Sequence, residues 1–356
     1  MRLKIAIIGA GISGLSCALA LERHGIYCDI YERKHTIGNL FPFGEIILQI
    51  MTRPCKDPLD FFKKFGLVLR PLNEITRIVI KSPTRKVEIR GRLGYIFERG
   101  QGKNSIENQL AQQIKSKIFF NVNANYEDLK KSYDYVVIAT GNEMAAKQLT
   151  EWESVVSARV KGGILLGDFE PHSVYVWFDR SYAKSGFAYL VPLSNKKASL
   201  ILVATYTLKE EIEDLWQTFL FRESLKYKMI ETFETELESG MIKEHQVGNV
   251  YLVGNAGGFL EPAFGFGLAN SIKTSFYCAD SIVKGGNYDG KVKDVLKGIE
   301  KMVELRKEID NMRDEDYDRL LRIIGNPFIK GLIYKTNFNI MKHMPFFIKL
   351  IKKPGQ

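Results

Sequence analysis

The chain opens on a short apolar run, Leu3 to Ile8, interrupted only by Lys4 and ended by Gly9-Ala10-Gly11-Ile12-Ser13-Gly14. Apolar positions then recur at helical spacing from Leu15 to His24 and stop at Gly25. A second strand-like run over Ile26–Tyr31 closes on Glu32-Arg33. A continuous apolar run suits a strand buried on both faces, so the pattern predicts a β-α-β unit. Thr36 to Pro58 is rich in Gly and Pro without a period and reads as loops over a site. Alternation returns at Ile75–Ile80 and Lys86–Ile89. A helix is expected over Ser105–Ile114, and a buried strand over Asp134–Ala139 closed by Thr140-Gly141.

Four β-rich runs follow, at Val155–Val160, Val174–Phe178, Phe187–Val191 and Ser199–Ala204, and their spacing predicts an antiparallel sheet. Thr207-Leu-Lys-Glu210 has the form of a capping box opening a helix with Ile212, Leu215, Trp216 and Phe219 on one face. A strand at Val250–Val253 runs into Gly254-Asn255-Ala256-Gly257-Gly258, with a helix expected over Gly267–Val283 and helical structure beyond Asn287. The expected fold class is therefore α/β: a Rossmann-like nucleotide-binding domain (1–70, 99–145 and 245–285), an inserted antiparallel β-sheet substrate domain (71–98 and 146–244), and a helical C-terminal region (286–356).

With 356 residues, 45% of them apolar and 26% charged, the chain has ample material for a large core, which excludes a disordered or collagen-like protein. The four cysteines, Cys17, Cys28, Cys55 and Cys278, form no C-x-x-C pair and no cluster with the five histidines. A zinc or thioredoxin-like site is not expected, and no metal is assigned. Cys17 and Cys28 read as core, and a reducing cytoplasm is the expected setting. No leader segment and no apolar stretch of about 20 residues is seen.

The net charge of +10 bears on partners rather than fold. Lys330, Lys335, Lys342, Lys349, Lys352 and Lys353 crowd the C-terminal segment. Interleaved with them are Phe328, Ile329, Leu332, Ile333, Phe338, Ile340, Met341, Phe346, Phe347, Ile348, Leu350 and Ile351. Two readings stay open: a segment lying peripherally on an anionic membrane, or ordinary amphipathic helices broken at Pro327 and Pro345. No nucleic-acid-binding motif accompanies the charge, so nucleic acid is not an expected partner.

The chemistry lies in three glycine-containing turns. In Gly9-x-Gly11-x-x-Gly14 the first glycine permits the tight turn, the second lets backbone approach a pyrophosphate, and the third lets helix pack on strand. Glu32 ends the second strand, where a carboxylate accepts from ribose hydroxyls. This element points to a dinucleotide without separating FAD from NAD. The second element, Tyr133 to Gly141, places Thr140 and Gly141 where a strand passes a bound nucleotide, or simply where a core strand ends. The third runs from Gly254 and Asn255 to Pro262, Gly265 and Gly267. It would suit a ribityl chain with a helix N-terminus aimed at a flavin, or an ordinary glycine-rich loop.

All three in this order resemble the FAD-dependent oxidoreductases that include aromatic hydroxylases, squalene epoxidases and geranylgeranyl reductases. Over roughly residues 3–285 the chain most resembles the geranylgeranyl reductase family. The resemblance implies FAD as cofactor. It assigns Gly9, Gly11, Ile12, Ser13 and Gly14 to the pyrophosphate loop and Glu32 and Arg33 to the adenosine end. Arg99 and Gln109 go to an FAD-packed helix and its approach, Thr140 and Gly141 to the second turn, and Gly254, Asn255, Pro262, Gly265 and Gly267 to the flavin side. Gly186 to Pro192 resembles an aromatic strand motif lining a lipid pocket, so Phe187 and Tyr189 are the substrate-binding candidates, with Tyr189 the candidate proton donor.

The sequence departs from that family in several places, among them Val191 where Phe is usual. Asn255 stands where Asp is usual, Tyr189 where Trp is usual, and Asn39-Leu-Phe-Pro-Phe-Gly44 where Cys-Gly-Gly is usual. The activity implied is reduction of carbon–carbon double bonds in an isoprenoid or related lipid. A monooxygenase of the same superfamily and a non-catalytic prenyl-lipid carrier are the alternatives. The electron donor expected is NAD(P)H or a small acidic electron carrier, which the positive balance would suit.

Overall fold

The computed structural model describes residues 3–38, 41–336, 343–345 and 348–349, the side chains of Leu332 and Lys335 excepted. Among the described residues the strands form two sheets. The first has the order β13 (Gln246–Val247), β14 (Val250–Leu252), β7 (Tyr135–Ile138), β1 (Ile5–Ile8), β2 (Asp29–Tyr31), β6 (Lys117–Phe119). All neighbours in it are parallel except β13 and β14.

Every residue of β1 is buried because the strand feeds two cores at once. Ala6 and Ile8 join Val136, Ile138, Val250 and Leu252 on one face. Ile5 and Ile7 join Cys17, Leu21, Cys278 and Ile282 on the other. The helix Ile12–Glu22 packs there beside the helix Leu268–Lys284. Cys17, Cys28, Cys55 and Cys278 are buried free thiols.

The register of the parallel strands sets up the site. Ile8 lies opposite both Tyr31 and Ile138, and Ile138 lies opposite Leu252. The carboxyl ends of β2, β1, β7 and β14 therefore stand in one row, and the turns that follow them open at one level. Ligands of open α/β sheets bind at this edge.

The second sheet has the order β12 (Lys228–Ile242), β8 (Trp152–Leu166), β11 (Lys197–Thr205), β10 (Phe187–Pro192), β9 (Ser173–Trp177), β4 (Asn73–Lys81), β5 (Lys86–Arg99), β3 (Phe43–Leu48). The expected antiparallel pattern holds except at β4 and β9, which run parallel. The helix Ile212–Arg222 covers one face, with Ile212, Trp216 and Phe219 against Trp177, Leu190, Leu200 and Leu202. Its start departs from expectation by one residue: the Leu208 N–H donates to Glu211 (2.7 Å), while the Thr207 hydroxyl turns back to the Thr205 carbonyl. The segment expected as loops contains β3, which pairs with β5.

The described C-terminal residues fold back over the other face of this sheet. Asn326 caps a helix that begins at Pro327, accepting from the Phe328 N–H (2.9 Å). Ile324 and Tyr334 pack against the cluster that includes Val191 and Tyr189. Ile348 and Met344 pack with Ala263, Leu305 and Ile309. The readings made for Phe338, Ile340, Met341, Lys342, Phe346, Phe347, Leu350, Ile351, Lys352 and Lys353, and for Asn39, fall outside the described residues.

Candidate functional site

The three glycine turns converge. Gly9 has φ +107°, and a Cβ there would meet the Ala139 carbonyl oxygen at 2.4 Å, so the first turn sits directly against the second. At Gly14 a Cβ would lie 1.9 Å from the Gly9 carbonyl oxygen, so the helix start rests on the turn itself. Gly254 has φ +58°, and its Cβ would meet the Ser13 hydroxyl at 2.0 Å, bringing the third turn onto the first. Ser275 ties the same two elements by donating to the Ser13 carbonyl (2.8 Å). Thr274 accepts from the Gly254 N–H (3.1 Å).

Gly11 is different. Its φ of −87° is open to any residue, and nothing lies within 4 Å of a Cβ placed there. No side chain caps the helix it begins, so the first amides of that helix are left without a side-chain partner. A glycine required neither by its dihedrals nor by its neighbours is explained by something that must approach the backbone there. Free amides at the positive end of a helix dipole suit an anion. Ile12 beside it is buried in the core with Leu15 and Leu19.

Glu32 is buried at the mouth of this turn. One carboxylate oxygen accepts from the Ala10 N–H (2.9 Å) and the other from the Lys34 N–H (3.0 Å). This fixes the carboxylate across the turn with lone pairs to spare. Arg33 is exposed, and so are Thr140 and Gly141 at the end of β7. The Thr140 hydroxyl reaches no closer than 3.4 Å to Asn142.

In the third turn, Asn255 is half-buried, its amide has no partner among the described residues, and its Oδ1 lies 3.0 Å from a Cβ placed on Gly267. Gly267 begins the Leu268–Lys284 helix without a side-chain cap, and Gly265 has φ +76° with open space around it. Pro262 is buried. The turn is shaped from inside by Glu261, whose buried carboxylate accepts from the N–H groups of Ala263 (2.8 Å), Phe264 (2.8 Å) and Phe266 (3.4 Å). Burial pushes this carboxyl above its ordinary range, with the three amides and the nearby Arg306 acting the other way. Sequence reasoning passed over Glu261, although an acidic residue just before Pro in a glycine loop is placed to accept the amides that follow.

Arg99 and Gln109 are each engaged by protein partners. The Arg99 guanidinium pairs with Glu45 of β3 and, at 2.7 Å, with Glu107 of the Ile106–Ala111 helix. Desolvation opposes its charge, but the two carboxylates prevail and hold the group firmly protonated. Gln109 accepts from the Arg70 N–H (2.7 Å) and donates to the carbonyls of Arg70 (3.0 Å) and Asn104 (2.7 Å). Both residues join elements around the first helix. Glu45 and Glu107 had no local signal, because their partner lies on another element.

Phe187 and Tyr189 alternate onto one face of β10 with their rings 5.8 Å apart. Phe187 meets Phe264 of the third turn edge to face at 6.2 Å. The aromatic strand thus reaches the glycine turns across the junction of the two sheets. Burial raises the Tyr189 phenol well above its ordinary range; the Glu45 carboxylate adds to this, and Arg99 offsets part of it.

The profile of the NAD(P)-binding Rossmann-like domain family matches residues 7–43, the first turn with its flanking strands. Along its whole length the chain is similar to the digeranylgeranylglycerophospholipid reductase 2 of Methanothermobacter thermautotrophicus, at 21% identity over 99% of each chain. Among solved structures it superposes on a geranylgeranyl bacteriochlorophyll reductase-like protein of Thermoplasma acidophilum (TM-score 0.71, 14% identity, 97% of this chain and 99% of that one). It also superposes on the flavin-dependent brominase Bmp2 (TM-score 0.68, 12% identity, 98% of each). The chain has the fold of these solved structures, a flavoprotein fold. Within that flavoprotein fold the row of strand ends, the open backbone at Gly11 and the amide of Asn255 lie along one edge. Four polar features there fit a long dinucleotide: free helix amides, an anchored carboxylate, an unpartnered amide and a second uncapped helix start.

Proposed function

We propose that this chain binds one FAD along the row of turns and reduces carbon–carbon double bonds of an isoprenoid or related lipid. The observation that carries the cofactor reading is the open backbone at Gly11. The whole-length similarity to an archaeal lipid reductase supports the substrate class. In this reading the amides following Gly11 and Ser13 hold the pyrophosphate, and Glu32 with Arg33 holds the adenosine end. Thr140, Gly141 and Gly254 flank the middle, and Asn255 with the Pro262–Gly267 turn holds the flavin side. When bound and reduced, FAD supplies the hydride for the double bond. The chain's own part is to place the lipid and exclude water, through the apolar face bearing Phe187, Tyr189 and Val191. NAD(P)H or a small acidic carrier protein would deliver the electrons.

Tyr189 holds the proton for the second carbon at its phenol oxygen. Because its pKa is raised, the acid form persists with rising pH, and the wild-type rate should stay level through about pH 10, where an ordinary phenol is half ionised. Tyr189→Phe should lower kcat by about a hundredfold with KM little changed. A change confined to KM would make Tyr189 a lining residue only.

The assay for the reaction itself is anaerobic reduction with dithionite, then mass spectrometry of a panel of unsaturated isoprenoid lipids. A gain of two hydrogens supports the reading. Oxygenated product formed in air supports the monooxygenase alternative, and protein that never takes up flavin supports the carrier.

For the peripheral membrane contact, Phe328 is the residue we test. Ile333 is buried, whereas Phe328 at the start of the same helix is 78% exposed. Among the described residues no helix is long and apolar enough to cross a membrane. Phe328→Asp should reduce sedimentation with anionic liposomes several-fold without changing stability; unchanged sedimentation would remove the membrane proposal.

A further inference from the structure

Arg306 lies on the Lys293–Asp310 helix, outside all three glycine turns, and is only 2% exposed. An arginine is so deeply buried only when its charge is paired, and here both terminal nitrogens are engaged while Nε has no partner among the described residues. Its partners come from three places. One terminal nitrogen donates to the Ala263 carbonyl in the third turn (3.2 Å). The other donates to the Ser185 carbonyl just before β10 (2.8 Å) and pairs with Asp310 one helical turn on (2.8 Å). Asp310 extends the joint by accepting from the hydroxyls of Ser185 (2.7 Å) and Tyr206 (2.8 Å). Glu261, which shapes the third turn, lies within the field of the same guanidinium.

The two carbonyls flank the aromatic contact between sheets. Ala263 is next to Phe264, Ser185 is close before Phe187, and those two rings meet at 6.2 Å. We propose that Arg306 is a positioning residue that fixes the spacing between the third glycine turn and the strand carrying Phe187 and Tyr189. A planar fork can bridge two carbonyls and a carboxylate together; a lysine ammonium offers a point charge on a flexible stem and cannot hold the same geometry. The consequence for flavin-to-substrate distance rests on the function proposed above, but the clamp is a property of the chain alone.

The test uses the full chain with Arg306→Lys and Arg306→Met, and Asp310→Asn in case the methionine variant does not fold. Amide hydrogen exchange is followed by mass spectrometry before and after addition of FAD. Protection over 263–268 and 186–190 should fall together by about tenfold in each variant, with β1 and β7 unchanged. With FAD and a lipid substrate, kcat should fall by about a hundredfold while the FAD dissociation constant and KM move only a few-fold. Protection lost evenly along the chain would make Arg306 a general stabiliser and overturn the proposal. Unchanged exchange in both segments, or full restoration by lysine, would also overturn it. If the two segments loosen together but no lipid is reduced by the parent, the clamp stands and the proposed function falls.

Discussion

Gly11→Leu should leave the protein folded and sharply weaken dinucleotide binding, while Gly14→Ala, a smaller change three residues on, should damage the fold itself. At Gly14 the added methyl would lie 1.9 Å from the Gly9 carbonyl oxygen and 3.2 Å from the Ile7 side chain. The first contact is backbone, fixed by the hydrogen bond from the Gly9 N–H to the Tyr31 carbonyl (2.8 Å). It cannot be relieved by a rotamer change, so a loss on the order of 3 kcal/mol is expected. At Gly11 φ is ordinary and the surroundings are empty, so the stability change should stay within about 0.5 kcal/mol. Leucine there would instead occupy the approach to the helix amides, and FAD affinity should fall by about a hundredfold or more, close to 3 kcal/mol. Denaturant midpoints and flavin-fluorescence titration of the two variants separate these effects. Equal FAD binding by Gly11→Leu and the parent would mean that the open backbone serves no ligand.

Arg99→Met should cost about 3–5 kcal/mol of stability, the second large effect expected. Arg99 is the cation for Glu107, whose side chain is 2% exposed and whose second oxygen already lacks a partner among the described residues. Removing the guanidinium leaves that carboxylate buried and uncompensated, and frees Glu45 of β3 from the helix behind it. Glu107→Gln added to Arg99→Met should recover a large part of the loss, since the stranded charge is gone. Urea unfolding of the single and double variants measures both numbers. A loss below about 1 kcal/mol would show that water reaches the pair and that the joint is a surface ion pair.

What the sequence made legible was whatever depends on neighbours along the chain. β1 declared itself because all four of its residues are buried. Gly9 and Gly14 did so because a tight turn and a close helix start leave room for nothing larger. β12 stayed hidden. It pairs on one side only, its alternation lapses over the exposed Glu234, Thr235 and Glu236, and a register shift between Met229 and Glu231 breaks the period. β3 is short, sits between irregular segments, and finds its partner in β5 far along the chain.

Charged residues in long-range pairs were the least legible part of the site. Glu45, Glu107 and Arg306 do not announce their partners along the chain, because those partners are set by tertiary packing. Arg306 alone carried a usable hint. It shares the apolar face of its helix with Met302, Leu305 and Ile309, where a charge must find a partner or not be buried. The Asn255 amide shows the opposite case: the residue was conspicuous, but its setting depended on Gly267.

The decisive measurement is a titration of the purified, flavin-stripped chain with FAD, followed by flavin fluorescence and by the protein-bound absorption spectrum. If the glycine turns after β1, β7 and β14 together accommodate a single extended coenzyme, binding saturates at about one FAD per chain with a perturbed flavin spectrum, and Gly11→Leu binds about a hundredfold more weakly or worse. A chain that stays colourless, with free-flavin fluorescence undiminished at every ratio, would contradict the account at its base.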